Sequence, residues 1–169
     1  HVLTADDIAG LRRGGATEVI AAVLEPGDIG ENEAAQAIVD AFARPGISPR
    51  AAATGRVNLH ADASGLFDAD VALIDAMNAV DPTITIATLA RFSAVEAGQM
   101  VATVKIIPYA VPGAAVEKVA AICRGRAIIR VDAFKPAAIG LVQTELAGTK
   151  SSVLDKTAKI TGQRLERSG

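Results

Sequence analysis

The run Thr83-Ile-Thr-Ile-Ala-Thr88 alternates apolar and polar residues with a period of two. A pleated strand buries such a pattern on one face, whereas a helix would scatter it around its axis. The next such run, Met100-Val-Ala-Thr-Val-Lys-Ile-Ile107, is stopped by Pro108. Its link to Phe92–Val95 through Ala97-Gly98 predicts a β-hairpin. Arg56-Val-Asn-Leu-His60 also alternates, and Ala63-Ser64-Gly65 turns the chain before Leu66-Phe67. Asp70 caps a short helix over Val71–Val80, which Asp81-Pro82 ends. A further helix from Pro112-Gly113 to about Arg124 places Val116, Val119, Ala120 and Cys123 on one face, and Ala127–Val131 follows as a strand. Residues 50–136 are therefore expected to form a β-rich module with helices.

Residues 1–49 predict a helix–strand–helix segment. Thr4 followed by Asp6 and Asp7 marks a helix N-terminus, and Gly14-Gly15 stops that helix. Glu18–Leu24 is a strand candidate closed by Pro26-Gly27-Asp28. Ala34, Ala35, Ile38, Val39 and Phe42 give Glu31–Ala43 a helical period, ended by Pro45-Gly46.

Half of the residues are hydrophobic, yet only 3% are aromatic and there is no Trp. The core must then come from Ala, Val, Ile and Leu, as suits helices packed on sheets in an α/β (α+β in its N-terminal part) fold. Net charge is −2 with the two signs interspersed, which argues against a nucleic-acid partner. No apolar run reaches the ~20 residues of a membrane span, so no membrane partner is expected. Cys123 is the only cysteine, which excludes an intramolecular disulfide and points to a reducing, cytoplasmic setting. Its position late on an amphipathic helix reads as a buried filler rather than a reactive thiol.

Residues 137–169 carry the strongest functional signal. Ile139-Gly-Leu-Val142 is a continuous apolar run of the kind buried inside a parallel sheet. A loop over Gln143–Ser152 follows, then a helix from about Val153 to Arg167 that closes at Gly169. A buried strand feeding a polar loop and a helix N-terminus is a usual phosphate-binding place in α/β proteins. The loop offers hydroxyls at Thr144, Thr149, Ser151 and Ser152, a flexible Gly148 and a cation at Lys150; Asp155, Lys156 and Thr157 lie on the helix start. An ordinary solvated βα loop with a Ser/Thr cap accounts for the same residues. Neither a G-x-G-x-x-G fingerprint nor a Walker A pattern is present.

Ile139-Gly-Leu-Val-Gln-Thr-Glu-Leu-Ala-Gly148, with Asp155-Lys-Thr157 and a helix ending at Gly169, resembles the opening of a molybdopterin-binding domain of the MoeA/MogA type. Three further stretches resemble a MoeA-like bacterial subfamily: His1-Val-Leu-Thr-Ala-Asp-Asp-Ile8 with Gly15, Thr54-Gly-Arg-Val-Asn-Leu59, and Met100-Val-Ala-Thr-Val-Lys-Ile-Ile-Pro108. The resemblance implies that residues 137–169 begin a MogA-like three-layer α/β domain, incomplete here. It implies molybdopterin, including its adenylated form, as ligand, with Mg²⁺ assisting at phosphate. It also implies a homodimer working with other molybdenum-cofactor biosynthesis proteins. Thr144, Glu145, Ser151, Ser152, Asp155, Lys156 and Thr157 become the expected contacts. The family's Thr-Gly-Asp-Glu-Leu loop stands here as Gln143-Thr-Glu-Leu146, without the Gly-Asp pair, and its Asp-Ser-Asn as Asp155-Lys156-Thr157. Loss of an acid weakens metal-assisted chemistry, while Lys156 suits anion binding.

Three functions follow as expectations: a MoeA-like molybdenumtransferase whose active site is incomplete in this chain, a non-catalytic molybdopterin carrier, and a dimerisation scaffold. His60 and Asp62 share a strand face, and Lys105 follows a hairpin reminiscent of biotinyl and lipoyl modules. Both have simpler readings, as a solvated strand residue and a lysine snorkelling at a sheet. Arg56 and Asn58 have the reach to meet a neighbouring subunit or domain.

Overall fold

The computed structural model describes residues 3–166, so the expectations for His1, Val2 and the helix end at Arg167–Gly169 lie outside the described residues. The elements in chain order are α1 Ala5–Arg13, β1 Asp28–Gly30, α2 Glu31–Ala41, β2 Ile47–Pro49, β3 Arg56–Ala61, β4 Gly65–Ala69, α3 Val71–Asn78, β5 Ile84–Thr88, β6 Ala94–Val95, β7 Met100–Ile106, β8 Ala110–Pro112, α4 Gly113–Cys123, β9 Ile129–Ala133 and α5 Ser151–Leu165. The fold is mixed α/β, and every named strand pair is antiparallel.

β7 lies inside a four-stranded sheet of order β2-β3-β7-β5. Val57↔Val104 and Leu59↔Ala102 pair it with β3, and Ile84↔Ile106 and Ile86↔Val104 pair it with β5. His60 pairs with Met100, so Val101 is an extra residue and the strand bulges there. That places Val101 and Ala102, although adjacent, both in the core.

The expected hairpin between Phe92–Val95 and Met100–Ile107 does not form. Its turn exists, with the Gln99 N–H donating to the Glu96 carbonyl at 3.0 Å. β6, however, joins a second sheet of order β6-β4-β9 through Gly65↔Val95. Both edges of β7 are already taken by β3 and β5, so the preceding strand pairs where an edge is open. The turn hands the chain from one sheet to the other.

Ala34, Ala35, Ile38 and Val39 of α2 are fully buried, a spacing that turns one helical stripe onto β7, β3 and α4. Phe67, Ile129 and Val131 of the second sheet belong to the same apolar cluster, as do Met77 of α3 and Val119 and Cys123 of α4. α3 starts where the Asp70 carboxylate accepts the Leu73 N–H at 3.1 Å. At its other end the Asn78 side-chain amide mimics a strand: it donates to the Ile86 carbonyl at 3.0 Å and accepts the Ile86 N–H at 2.8 Å. This blocks the free edge of β5. Gly55 sits at φ +68 where the chain turns tightly into β3, and an added Cβ would meet the Ile106 carbonyl oxygen at 2.7 Å.

Two expected strands are absent. Glu18–Leu24 and Ile139–Val142 have no regular structure, and Ile20 and Val142 are 88% and 93% exposed. A strand exists only with a neighbour to take its N–H and C=O groups, and neither segment has one. The apolar run Ile139–Val142 is therefore not buried in a sheet in this chain. α1 forms from local signals: Thr4 and Asp7 close a capping box, the Thr4 N–H donating to the Asp7 carboxylate at 2.7 Å. Neither α1 nor α5 has a buried residue.

Two outcomes follow for chemical denaturation. Phe67→Ala should cost about 3–5 kcal/mol, because its ring is wholly enclosed. Deleting residues 136–169 should change the unfolding free energy by less than about 1 kcal/mol, because that segment supplies nothing to the core.

Candidate functional site

Among the described residues the expected ligand loop is held by local bonds. The Leu146 N–H donates to the Thr149 hydroxyl at 3.1 Å and the Thr149 N–H to the Leu146 carbonyl at 2.9 Å, forming a turn at Gly148, φ +94. Thr149 is thus engaged, and the Thr157 hydroxyl bonds back to the Val153 carbonyl at 2.9 Å. Thr144, Glu145, Ser151, Ser152, Asp155, Lys156 and Thr157 are all exposed. The structure brings Ser151, Ser152, Asp155 and Lys156 together on the first turns of α5. Thr144 and Glu145 stay on the irregular segment before it.

α5 opens with Lys150 in the cap position, no side-chain cap and no acid in its first turn. The first N–H groups of a helix have no intrahelical partner, and here no side chain satisfies them. Their partial positive charge adds to that of Lys150, so this terminus favours an anion.

A second feature was not anticipated. A cleft of about 440 Å³ is lined by Asp68, Asp70, Val71, Arg91, Ala127 and Arg130 among others. The buried Asp68 carboxylate accepts Arg91 Nε at 2.7 Å on one oxygen and Arg130 Nη2 at 2.8 Å on the other. The Ala69 N–H adds a bond at 2.9 Å. Arg91 also lies 4.7 Å over the Phe92 ring, with Phe92 at φ 62. Arg130 donates its Nε to Asp132 at 3.0 Å. Asp68 and Arg130 are cross-strand partners of β4 and β9, so the arrangement clamps that pair. Asp68, Asp70 and Asp132 balance the two guanidiniums, which makes the cleft a structural ion network more than a ligand trap. Its contacts span 23 and 62 positions in sequence, too far for any local pattern to signal.

The Arg91 guanidinium, hydrogen-bonded to Asp68, holds that carboxyl below the usual carboxylate range, against the opposing effect of burial. Cys123 is wholly buried and burial pushes its thiol up, consistent with a filler. Among the described residues no group of three or more His, Cys, Asp or Glu comes together to hold a metal ion, and no helix is long and apolar enough to cross a membrane. No protein-family model matches the chain, and neither a curated protein nor a solved structure matches it.

The Asp68 network sets an acid limit. A carboxyl whose pKa is lower folded than unfolded takes up its proton first in the unfolded chain. Its contribution is therefore complete above the unfolded value of about 4 and disappears as pH falls through the depressed folded value. Asp68→Asn should flatten that part of a stability–pH curve measured by urea unfolding, while leaving the curve's shape above pH 5 unchanged.

Proposed function

We propose that this chain is part of a MoeA/MogA-type molybdopterin-binding protein of molybdenum-cofactor biosynthesis. In that reading residues 137–169 open a MogA-like three-layer domain. The observation that carries it is the uncapped, acid-free N-terminus of α5 with Lys150, Ser151 and Ser152, where the family resemblance expects an anionic ligand. The phosphate of molybdopterin is such an anion. A second support comes from the middle of the chain. Thr54–Leu59 and Met100–Pro108, which resemble the same subfamily, meet on adjacent strands, with Arg56↔Lys105 through Leu59↔Ala102 in register.

The departures from the family loop favour binding or delivery over insertion of molybdate. Mg²⁺ assisting at the ligand phosphate belongs to the adenylated form of this reading, and the acid missing from the loop counts against a metal-assisted step. A cytoplasmic homodimer working with other cofactor-biosynthesis proteins completes the reading. The scaffold reading draws on the exposed apolar segments 19–24 and 139–142.

Molybdopterin should bind the chain saturably in isothermal titration calorimetry, and Asp155→Ala should weaken that binding. No binding at saturating concentration would leave the scaffold reading. Molybdate-dependent turnover, measured with and without Mg²⁺, separates a transferase from a carrier; the carrier reading expects none.

A further inference from the structure

The outer face of the four-stranded sheet differs in charge from the rest of the molecule. Alternation puts Arg56, Asn58 and His60 of β3 on the side opposite the buried Val57 and Leu59. On β7, Thr103 and Lys105 share that side, and on β5 Thr85 and Ala87 do. The register lines them up as two rows. One runs Arg56–Lys105–Thr85, and the other Asn58–Thr103–Ala87, with Arg50 next to Asn58 through an N–H to carbonyl bond of 2.8 Å.

Arg56 and Lys105 are thus like-charged residues directly opposite one another in register, a pairing that costs stability in a sheet. Among the described residues Arg50, Arg56 and Lys105 form no ion pair, although the pairs at Arg91, Arg124 and Arg130 show that acids are within reach elsewhere. Glu31 beside the Gly55 turn, Asp62 beyond β3 and Asp81 before β5 do not reach them. No position of the four strands on this face is an acid, in a chain whose net charge is −2.

The neutral groups are biased in the same direction. The Thr103 hydroxyl donates to Asn58 Oδ1 at 3.0 Å. That uses one lone pair of the amide oxygen, and the NH₂ donors have no partner among the described residues. The Thr85 hydroxyl is also unengaged. The rows therefore present ammonium, guanidinium, amide N–H and hydroxyl donors side by side on the paired strands β3, β7 and β5.

We propose that this face binds a small molecule through a phosphate group, seated between Arg56 and Lys105 with Asn58 and Thr85 as further donors and Arg50 at the margin. Charge-assisted bonds from a guanidinium and an ammonium to phosphate oxygens are the strong class. A phosphate bridging them also removes the cross-strand repulsion. The claim concerns a different surface from α5 and stands whether or not the loop at Thr144–Thr157 takes molybdopterin.

The test is an amide-resolved NMR titration of the whole chain with pyrophosphate, with inorganic phosphate and sodium sulfate at matched ionic strength as comparisons. Saturable shifts centred on Asn58, Thr85 and Thr103 are expected with pyrophosphate. Arg56→Gln with Lys105→Gln should weaken them about tenfold or more, as loss of two charged donors requires, with signal dispersion unchanged. Asp155→Ala should leave them as they are, which separates this site from the loop. Shifts that never saturate, equal shifts with sulfate, or undiminished affinity in the double variant would overturn the assignment.

Discussion

β7 has both of its edges occupied and one face closed, and the rest of the molecule is arranged around that condition. Its inner side chains, Ala102, Val104 and Ile106, meet the stripe of α2, so the helix can approach only from that side. Because β3 and β5 flank it, β6 is diverted to the second sheet, and the two sheets are forced to share one apolar cluster. The bulge at Val101 adds local twist where the strand leaves the turn at Gln99. Antiparallel pairing also allows the opposite face to meet water, which is how an exposed Arg56 comes to lie beside a half-buried Lys105.

The local signals in the sequence were reliable wherever a short-range interaction decides the outcome. Thr4 with Asp7, Asp70 before Val71, and the stripe Ala34, Ala35, Ile38, Val39 each mark a helix found within two or three residues of its expected bounds. The alternating runs at Ile84–Thr88 and Met100–Ile106 are strands as expected. Pairing was not legible, because alternation states which face is buried and not which neighbour supplies the hydrogen bonds. The turn at Ala97-Gly98 suggested the nearer partner, and competition for the edges of β7 decided otherwise. Glu18–Leu24 and Ile139–Val142 have strand composition without a strand partner, so composition overstated their structure.

The same division holds for chemistry. The hydroxyl-rich loop and Lys150 can be located from sequence alone, being contiguous, and the structure adds the uncapped helix terminus beside them. The clamp of Arg91 and Arg130 on Asp68 and the cationic rows on the sheet are products of register between distant segments. Arg56 and Lys105 become neighbours only once β3 and β7 are aligned, though each lay in a stretch that the sequence had already distinguished.

Val19-Ile-Ala-Ala-Val-Leu24 is six residues long, with no charge, proline or glycine, and it lies exposed and without regular structure in a chain of net charge −2. Windows of this composition with unpaired backbone are those that assemble intermolecularly into β-structure, and so small a net charge offers little long-range repulsion. The colloidal behaviour of the chain is therefore governed by a segment outside its core. Its solubility ceiling depends on concentration and salt through that segment, while its thermodynamic stability depends on the sheet around β7. Adding a single lysine at Ile20 or Val23 acts on the first property and leaves the second untouched.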